Sequence, residues 1–134
     1  MPEVAEFVSR QAASITPAMT ERVLRNLPFW KVEFTQVSAP QFPHLAAQLE
    51  FLADLIEDFA ENADKDIPYY VVAQAVFALT YVHKKAGIIP GTMPELAKAD
   101  NSSVVRAVLI QNEKALSTYA ARHGVEWATV TSKP

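Results

Sequence analysis

The residues of this 134-residue chain best suited to bind a metal ion or move a proton are four carboxylates. Asp54 precedes Asp58 by four residues, and Glu57 precedes Glu61 by four, so each pair would share one side of a helix. Carboxylate-bridged metal sites in bundles use inward-facing Glu with a Glu-x-x-His motif, which this sequence lacks. These acids lie opposite an apolar stripe, and we expect them to face solvent rather than a metal.

The remaining residue types with catalytic potential do not form a recognisable constellation. His44 falls in a first helical turn, while His83 and His123 fall near helix C-termini, where favourable dipole and carbonyl contacts explain them. The sequence has no Gly-x-Ser-x-Gly motif, no phosphate-binding Gly-rich loop and no cysteine. We therefore predict no catalytic residues, no metal site and no cofactor, and we expect a protein that is not an enzyme.

Two amides stand among apolar neighbours. Gln74 and Asn112 each need a hydrogen-bond partner if they are buried. Residues of this kind often fix the register of packed helices, and less often they line a ligand pocket. Both interpretations stay open here: a helix-register contact, or a small-molecule or lipid pocket beside Gln74, Tyr81 and Asn112.

The elements that would position these side chains are helices arranged around one apolar segment. Residues 67–82, IPYYVVAQAVFALTYV, carry no charge and are shorter than the ~20 residues that span a bilayer. Pro28, Gly87 and Gly124 are the expected helix ends, and Asp100 (or Ser102) is the expected N-cap of the last helix. Helices are accordingly predicted over residues 4–14, 16–27, 43–63, 67–87 and 100–123. The predicted fold class is an all-α, single-domain bundle of about five helices around a central apolar helix.

No repeat or linker divides residues 1–134, so we predict one helical domain. Residues 1–28 would form an N-terminal helical arm, and residues 43–123 would form the core bundle. Residues 29–42 mix aromatic and charged side chains; an irregular connection is favoured over a strand paired with residues 125–130.

Charge is unevenly distributed, although the net charge is only −3. Residues 43–67 contain seven acidic side chains and one basic one, whereas residues 68–134 are net basic. The acidic segment is expected to be the solvated side of an amphipathic helix; the alternative is a surface for a basic partner or a second copy. The modest net charge does not indicate nucleic-acid binding.

The segment from residue 67 onward resembles the YkvA-like family of bacterial helical domains of unknown function, over about residues 67–108. The likeness rests on an apolar helix ending in Tyr81, the turn GIIPG at residues 87–91, and a proline at position 94 followed by an acidic helix start. The positions that match the family motif are Tyr81, Pro90, Pro94 and Asp100.

This chain lacks most of the acids of that motif. Gly87 and Gly91 stand where the family has Asp, Asn101 replaces a second Asp, and Ala97 replaces Gly. The resemblance therefore implies a structural turn rather than a cation site. Prolines would stiffen the connection and Asp100 would cap the following helix.

From these features we expect a non-catalytic interaction or accessory module in the bacterial cytoplasm that self-associates or binds a protein partner. The lack of a basic, then apolar, leader and the absence of cysteine motivate the location. One alternative is a bundle that binds a small molecule or lipid. Another is peripheral membrane attachment through exposed Phe29, Trp30 and Phe34.

Overall fold

The computed structural model describes residues 2–36, 42–61, 66–88, 94–131 and 133. The described chain is all-α and forms seven helices rather than about five. They are α1 (Pro2–Ala12), α2 (Pro17–Thr35), α3 (Leu45–Ala60), α4 (Tyr69–Ile88), α5 (Pro94–Gln111), α6 (Glu113–Arg122) and α7 (Trp127–Val130).

Helix α4 has neighbours on several sides, because it packs against α1, α2, α3 and α5. Val71, Val72, Ala75 and Leu79 of α4 are fully buried, as the apolar run of residues 67–82 predicts. Within the ranges described above, no helix combines the length and the apolar character needed to cross a membrane.

Helix α2 starts where the sequence predicts and ends later. The hydroxyl of Thr16 accepts a hydrogen bond from the Met19 amide at 3.2 Å, and Pro17 occupies the first turn. The helix then continues through Pro28 to Thr35, so the predicted end at Pro28 is wrong. The exposed Pro28 is tolerated because Leu27 and Phe34, seven residues apart on one side, are both buried in the core.

The continuation of α2 also determines the structure of the first half of the segment 29–42. Residues 29–35 are helical, which contradicts the predicted irregular connection over that part. No strand occurs in the part of the chain that the structure describes, and Trp127–Val130 of the proposed ribbon partner form α7. Residues 37–41 lie outside the described residues.

Helix α3 buries the stripe that its sequence predicts. Leu45, Leu49, Leu52 and Ile56 are at most 1% exposed. The helix ends at Ala60 with Glu61 at the C-cap, slightly earlier than residue 63.

The connection between α4 and α5 differs from the prediction at both ends. Helix α4 continues through Gly87 to Ile88, so Gly87 is not its stop. Helix α5 begins at Pro94, which places Asp100 inside the helix and not at its N-cap. Proline fits the first helical turn as well as aspartate fits the cap, and here the earlier start signal determines where the helix begins. Pro90 lies outside the described residues.

The predicted last helix is divided at Asn112 into α5 and α6, but the buried residues continue along one side across the division. The buried residues are Val105, Val108, Leu109, Asn112, Leu116, Tyr119 and Ala120. Gly124 ends α6 as predicted, with φ at +69°. The Val125 amide donates to Ala120 O at 2.8 Å and the Gly124 amide to Ala121 O at 3.4 Å, which together form a Schellman motif.

The C-terminal residues return to α3. Gln48, at 0% exposure, donates from Nε2 to the carbonyl oxygens of Thr131 and Lys133, each at 2.7 Å. Val130 is buried, and the ring of Trp127 contacts that of Phe51 at 5.8 Å. Residues 127–131 and Lys133 therefore cover one side of helix α3.

Candidate functional site

Helices α1 and α2 lie side by side on α4 and leave a cleft between them. Helix α2 runs parallel to α4, since Thr20 lies 3.1 Å from the Tyr69 hydroxyl at one end and Trp30 stacks on His83 at the other. Helix α1 runs in the opposite direction: Ile15, just beyond its end, accepts a hydrogen bond from Tyr69 at 3.3 Å. This arrangement gives the cleft a floor from α4 and walls from α1 and α2.

The cleft has a volume of about 400 Å³. Its lining residues come from the end of α1, one side of α2 and one side of α4, and we call the space they enclose the α2–α4 cleft. They are Gln11, Ser14, Ile15, Met19, Arg22, Val23, Asn26, Trp30, Val76, Phe77, Thr80 and His83. The floor on α4 consists of Val76 and Phe77 together with Thr80 and His83, and the lining as a whole is more apolar than polar.

The charges around the α2–α4 cleft are few and one-sided. Among the described residues that line it, none is acidic and Arg22 is the only lysine or arginine. The Arg22 side chain is exposed and has no ion-pair partner within the described residues. Thr80 donates its hydroxyl to Val76 O at 2.8 Å and so directs no free donor into the space. In the part of the chain that the structure describes, the cleft therefore offers a largely apolar surface with the uncompensated cation of Arg22 at its edge.

The end of the cleft away from Arg22 is closed by aromatic stacking. The rings of Trp30 and His83 lie 4.3 Å apart and 18° from parallel. His83 donates from Nδ1 to Glu33 Oε2 at 3.0 Å, which orients the imidazole. An oriented histidine can act as a base, but a nucleophile or a metal must be within its reach. Among the described residues, His83 has no hydroxyl partner, and no group of three possible metal ligands occurs.

The structure brings together two of the three residues of the predicted pocket. Asn112 donates from Nδ2 to Gln74 Oε1 at 2.7 Å and to Val108 O at 2.9 Å, and both amide side chains are buried. Tyr81 lies two turns along α4, where its ring contacts Phe7 at 6.2 Å. None of the three predicted residues lines the α2–α4 cleft.

The cleft and the amide pair are on different sides of α4. At 3.6 residues per turn, Val76, Thr80 and His83 lie roughly half a turn around the helix from Gln74. The Gln74–Asn112 contact joins α4 to the junction of α5 and α6, which agrees with the interpretation that these amides fix helix register.

The acidic side of α3 is partly neutralised within the chain. Lys31 of α2 donates to Asp54 at 2.8 Å and also to Glu57, while Tyr119 donates its hydroxyl to Asp58. Partial burial lowers the pKa of the Lys31 ammonium, but the hydrogen bonds and charges of Asp54 and Glu57 raise it by more. The pKa of Lys31 therefore lies above its ordinary value of 10.5. These contacts within the chain pair Asp54, Glu57 and Asp58 of α3, so these three acids do not require a basic partner protein.

The aromatic residues of the predicted membrane anchor do not share one surface. Phe29 is 74% exposed, whereas Phe34 is 2% exposed and belongs to the core. Trp30 is partly buried and lines the α2–α4 cleft. The prediction that all three residues are exposed and form a membrane anchor is therefore wrong.

The residues of the cleft share a spacing that the sequence does contain. Met19, Val23, Asn26 and Trp30 recur every three or four positions, which places them on one side of a helix. The prediction that Pro28 ends the helix separates Trp30 from the others. If the predicted helix is continued through Pro28, the spacing indicates that these four residues share one side of it and can form one wall of the cleft.

This chain matches no family model, no curated protein and no solved structure.

Proposed function

We propose that this protein is a non-catalytic binding module whose ligand is a small, largely apolar molecule held in the α2–α4 cleft. The observation that carries this proposal is the cleft itself. Its volume of about 400 Å³ falls within the range of ~300–1,000 Å³ that is usual for ligand pockets. A largely apolar lining with a few polar groups is also the usual composition of such sites.

Binding without catalysis is supported by the state of the cleft's polar groups. His83 is held by Glu33, and the Thr80 hydroxyl is bonded to its own helix. Neither is placed beside a second reactive group among the described residues. We retain the YkvA-like resemblance and a bacterial, cytoplasmic location as parts of the same proposal, since a chain without cysteine suits a reducing compartment.

Fluorescence titration tests the proposal, because Trp30 lines the cleft. The chain has two tryptophans, so Trp127→Phe leaves Trp30 as the only reporter. We expect 1-decanol, a neutral apolar probe, to change Trp30 emission saturably.

The binding site is then located with two matched substitutions. Thr80→Phe fills the α2–α4 cleft and should weaken decanol binding by about ten-fold or more. Thr118→Phe is the control, because Thr118 lines a different cavity of about 300 Å³ and bonds in the same way to the carbonyl four residues earlier. Absence of saturable binding, or equal effects of the two substitutions, would overturn the proposal.

A second proposal, self-association, is favoured by the outward side of α2. Phe29 and Val32 are 74% and 58% exposed, and Arg25 lies on the same side without an ion-pair partner in the described chain. Glu50, exposed on α3, also has no such partner there, so a second copy offers a complementary charge. Sedimentation velocity should show a dimer that Phe29→Ser disrupts. Tyr70→Ser, at a 61% exposed aromatic on α4, should leave the dimer intact.

A further inference from the structure

We infer that the ligand of the α2–α4 cleft is a single-chain monocarboxylate whose carboxylate binds Arg22 and whose apolar chain points toward Trp30. This inference rests on the proposed function and adds to it the chemical class and the orientation of the ligand.

The sign of the ligand's charge follows from the lining of the cleft. A cationic ligand would find no carboxylate among the described residues that line the space. An anionic ligand would find Arg22, whose guanidinium has no ion-pair partner among the described residues. A planar guanidinium binds a carboxylate through two parallel hydrogen bonds, which makes this pairing stronger than one with a neutral head group.

The orientation follows from the positions of Arg22 and Trp30. The two residues are eight positions apart on α2, so they are separated by about 12 Å along the helix axis. Between them the cleft is walled by Val23 and floored by Val76 and Phe77. A ligand with its charge at Arg22 thus places its chain over apolar side chains and its far end near the indole ring.

The same dimensions set the size of the ligand. A span of about 12 Å accommodates an extended chain of about ten carbons. A volume of about 400 Å³ suits one chain rather than the two chains of a diacyl lipid. Decanoate is therefore the appropriate probe, with 1-decanol and decyltrimethylammonium as neutral and cationic analogues of equal chain length.

The charge preference is tested by titrating the Trp127→Phe protein with these three compounds below their micellar concentrations. Decanoate should bind about ten-fold or more tightly than decanol, and decyltrimethylammonium should bind most weakly. Arg22→Gln should remove the advantage of decanoate, so that the ratio of decanoate affinity to decanol affinity falls to about one. Arg25→Gln is the matched control, since Arg25 is exposed on the same helix and does not line the cleft.

The orientation is tested with brominated ligands, because bromine quenches tryptophan fluorescence at contact. Decanoate brominated at carbon 10 should quench Trp30 more than decanoate brominated at carbon 2. Equal binding of decanoate and decanol, an equal effect of Arg25→Gln, or stronger quenching by the 2-bromo compound would overturn this inference while leaving the proposed function intact. Failure of all three compounds to bind would overturn both.

Discussion

Asn112 donates a hydrogen bond to Gln74 across the junction of α4 with α5 and α6, and both side chains are more than nine-tenths buried. Replacing either residue alone with leucine leaves a buried amide with an unmade hydrogen bond. We expect each single substitution to lower the free energy of unfolding by about 1–3 kcal/mol. Asn112→Leu should cost more, because Asn112 retains Val108 O when Gln74 is replaced, whereas Gln74 Oε1 accepts no second hydrogen bond from the described residues.

The double substitution distinguishes a paired contact from two independent effects. Gln74→Leu with Asn112→Leu should cost less than the sum of the single changes, since no amide is then left unpaired. Urea denaturation of the four proteins measures this coupling. Gln111→Leu, at the exposed neighbouring position, is the control and should change stability by less than about 0.5 kcal/mol. Additive single effects would show that the pair does not fix the packing of these helices.

The Lys31 contact with Asp54 and Glu57 should make stability depend on pH in the alkaline range. The pKa of Lys31 is raised in the folded protein, so its stabilising contribution is complete below the unfolded pKa and is lost as pH rises through the folded pKa. Lys31→Met should lower stability by about 1 kcal/mol or less at pH 7, because the contact is partly exposed. The difference from wild type should shrink as the pH rises above 10.5 and through the folded pKa of Lys31. Lys114→Met, at an exposed lysine of α6, is the control for general charge effects.

Pro28 interrupts the hydrogen bonding of α2 at an exposed position. Proline lacks an amide proton and crowds the carbonyl four residues earlier, that of Leu24. We expect Pro28→Ala to raise the free energy of unfolding by about 1–3 kcal/mol. Pro17→Ala is the comparison, because proline is favourable in the first turn and its replacement should bring no gain. A loss of stability in Pro28→Ala would mean that the core packing of Leu27 and Phe34 requires the proline.

Gly124 ends α6 with a left-handed conformation at φ +69°. A Cβ at this position would meet no atom within 4 Å, so the cost of a side chain is one of backbone conformation alone. Gly124→Ala should destabilise the protein by about 1–2 kcal/mol. Gly124→Asn should cost less, because asparagine tolerates this conformation better. Thermal unfolding followed by circular dichroism measures both, and equal costs would contradict the conformational explanation.

The sequence allows prediction of those features that depend on local periodicity. The stripe of α3 through Leu49 and Ile56, the cap at Thr16 and the stop at Gly124 all follow from residue types within a few turns. The polar positions Gln74 and Asn112 could be identified as needing partners. Their pairing with each other could not, because it depends on how two helices distant in sequence pack together.

The errors occur where tertiary packing or a competing start signal outweighs a local stop signal. Pro28 and Gly87 both disfavour a helix, yet α2 and α4 continue past them. The α2–α4 cleft is not predicted from the sequence, because a helix end at Pro28 separates Trp30 from the other lining residues of α2. Its lining also combines residues from three helices. A cleft of this kind depends on how neighbouring helices pack. The periodicity of a single helix gives no information about that packing.

The contact of Gln48 with Thr131 and Lys133 has a consequence for the order in which the chain folds. The amide of Gln48 lies in the fully buried surface of α3, and its partners are 83 and 85 residues later in the sequence. During synthesis α3 therefore lacks the backbone carbonyls that its buried amide requires until residues 131 and 133 have been made. Contacts of such long separation form late and slow folding. We expect nascent chains arrested before residue 127 to hold α3 in a protease-sensitive state, and protection to appear only once residues 127–133 have left the ribosome.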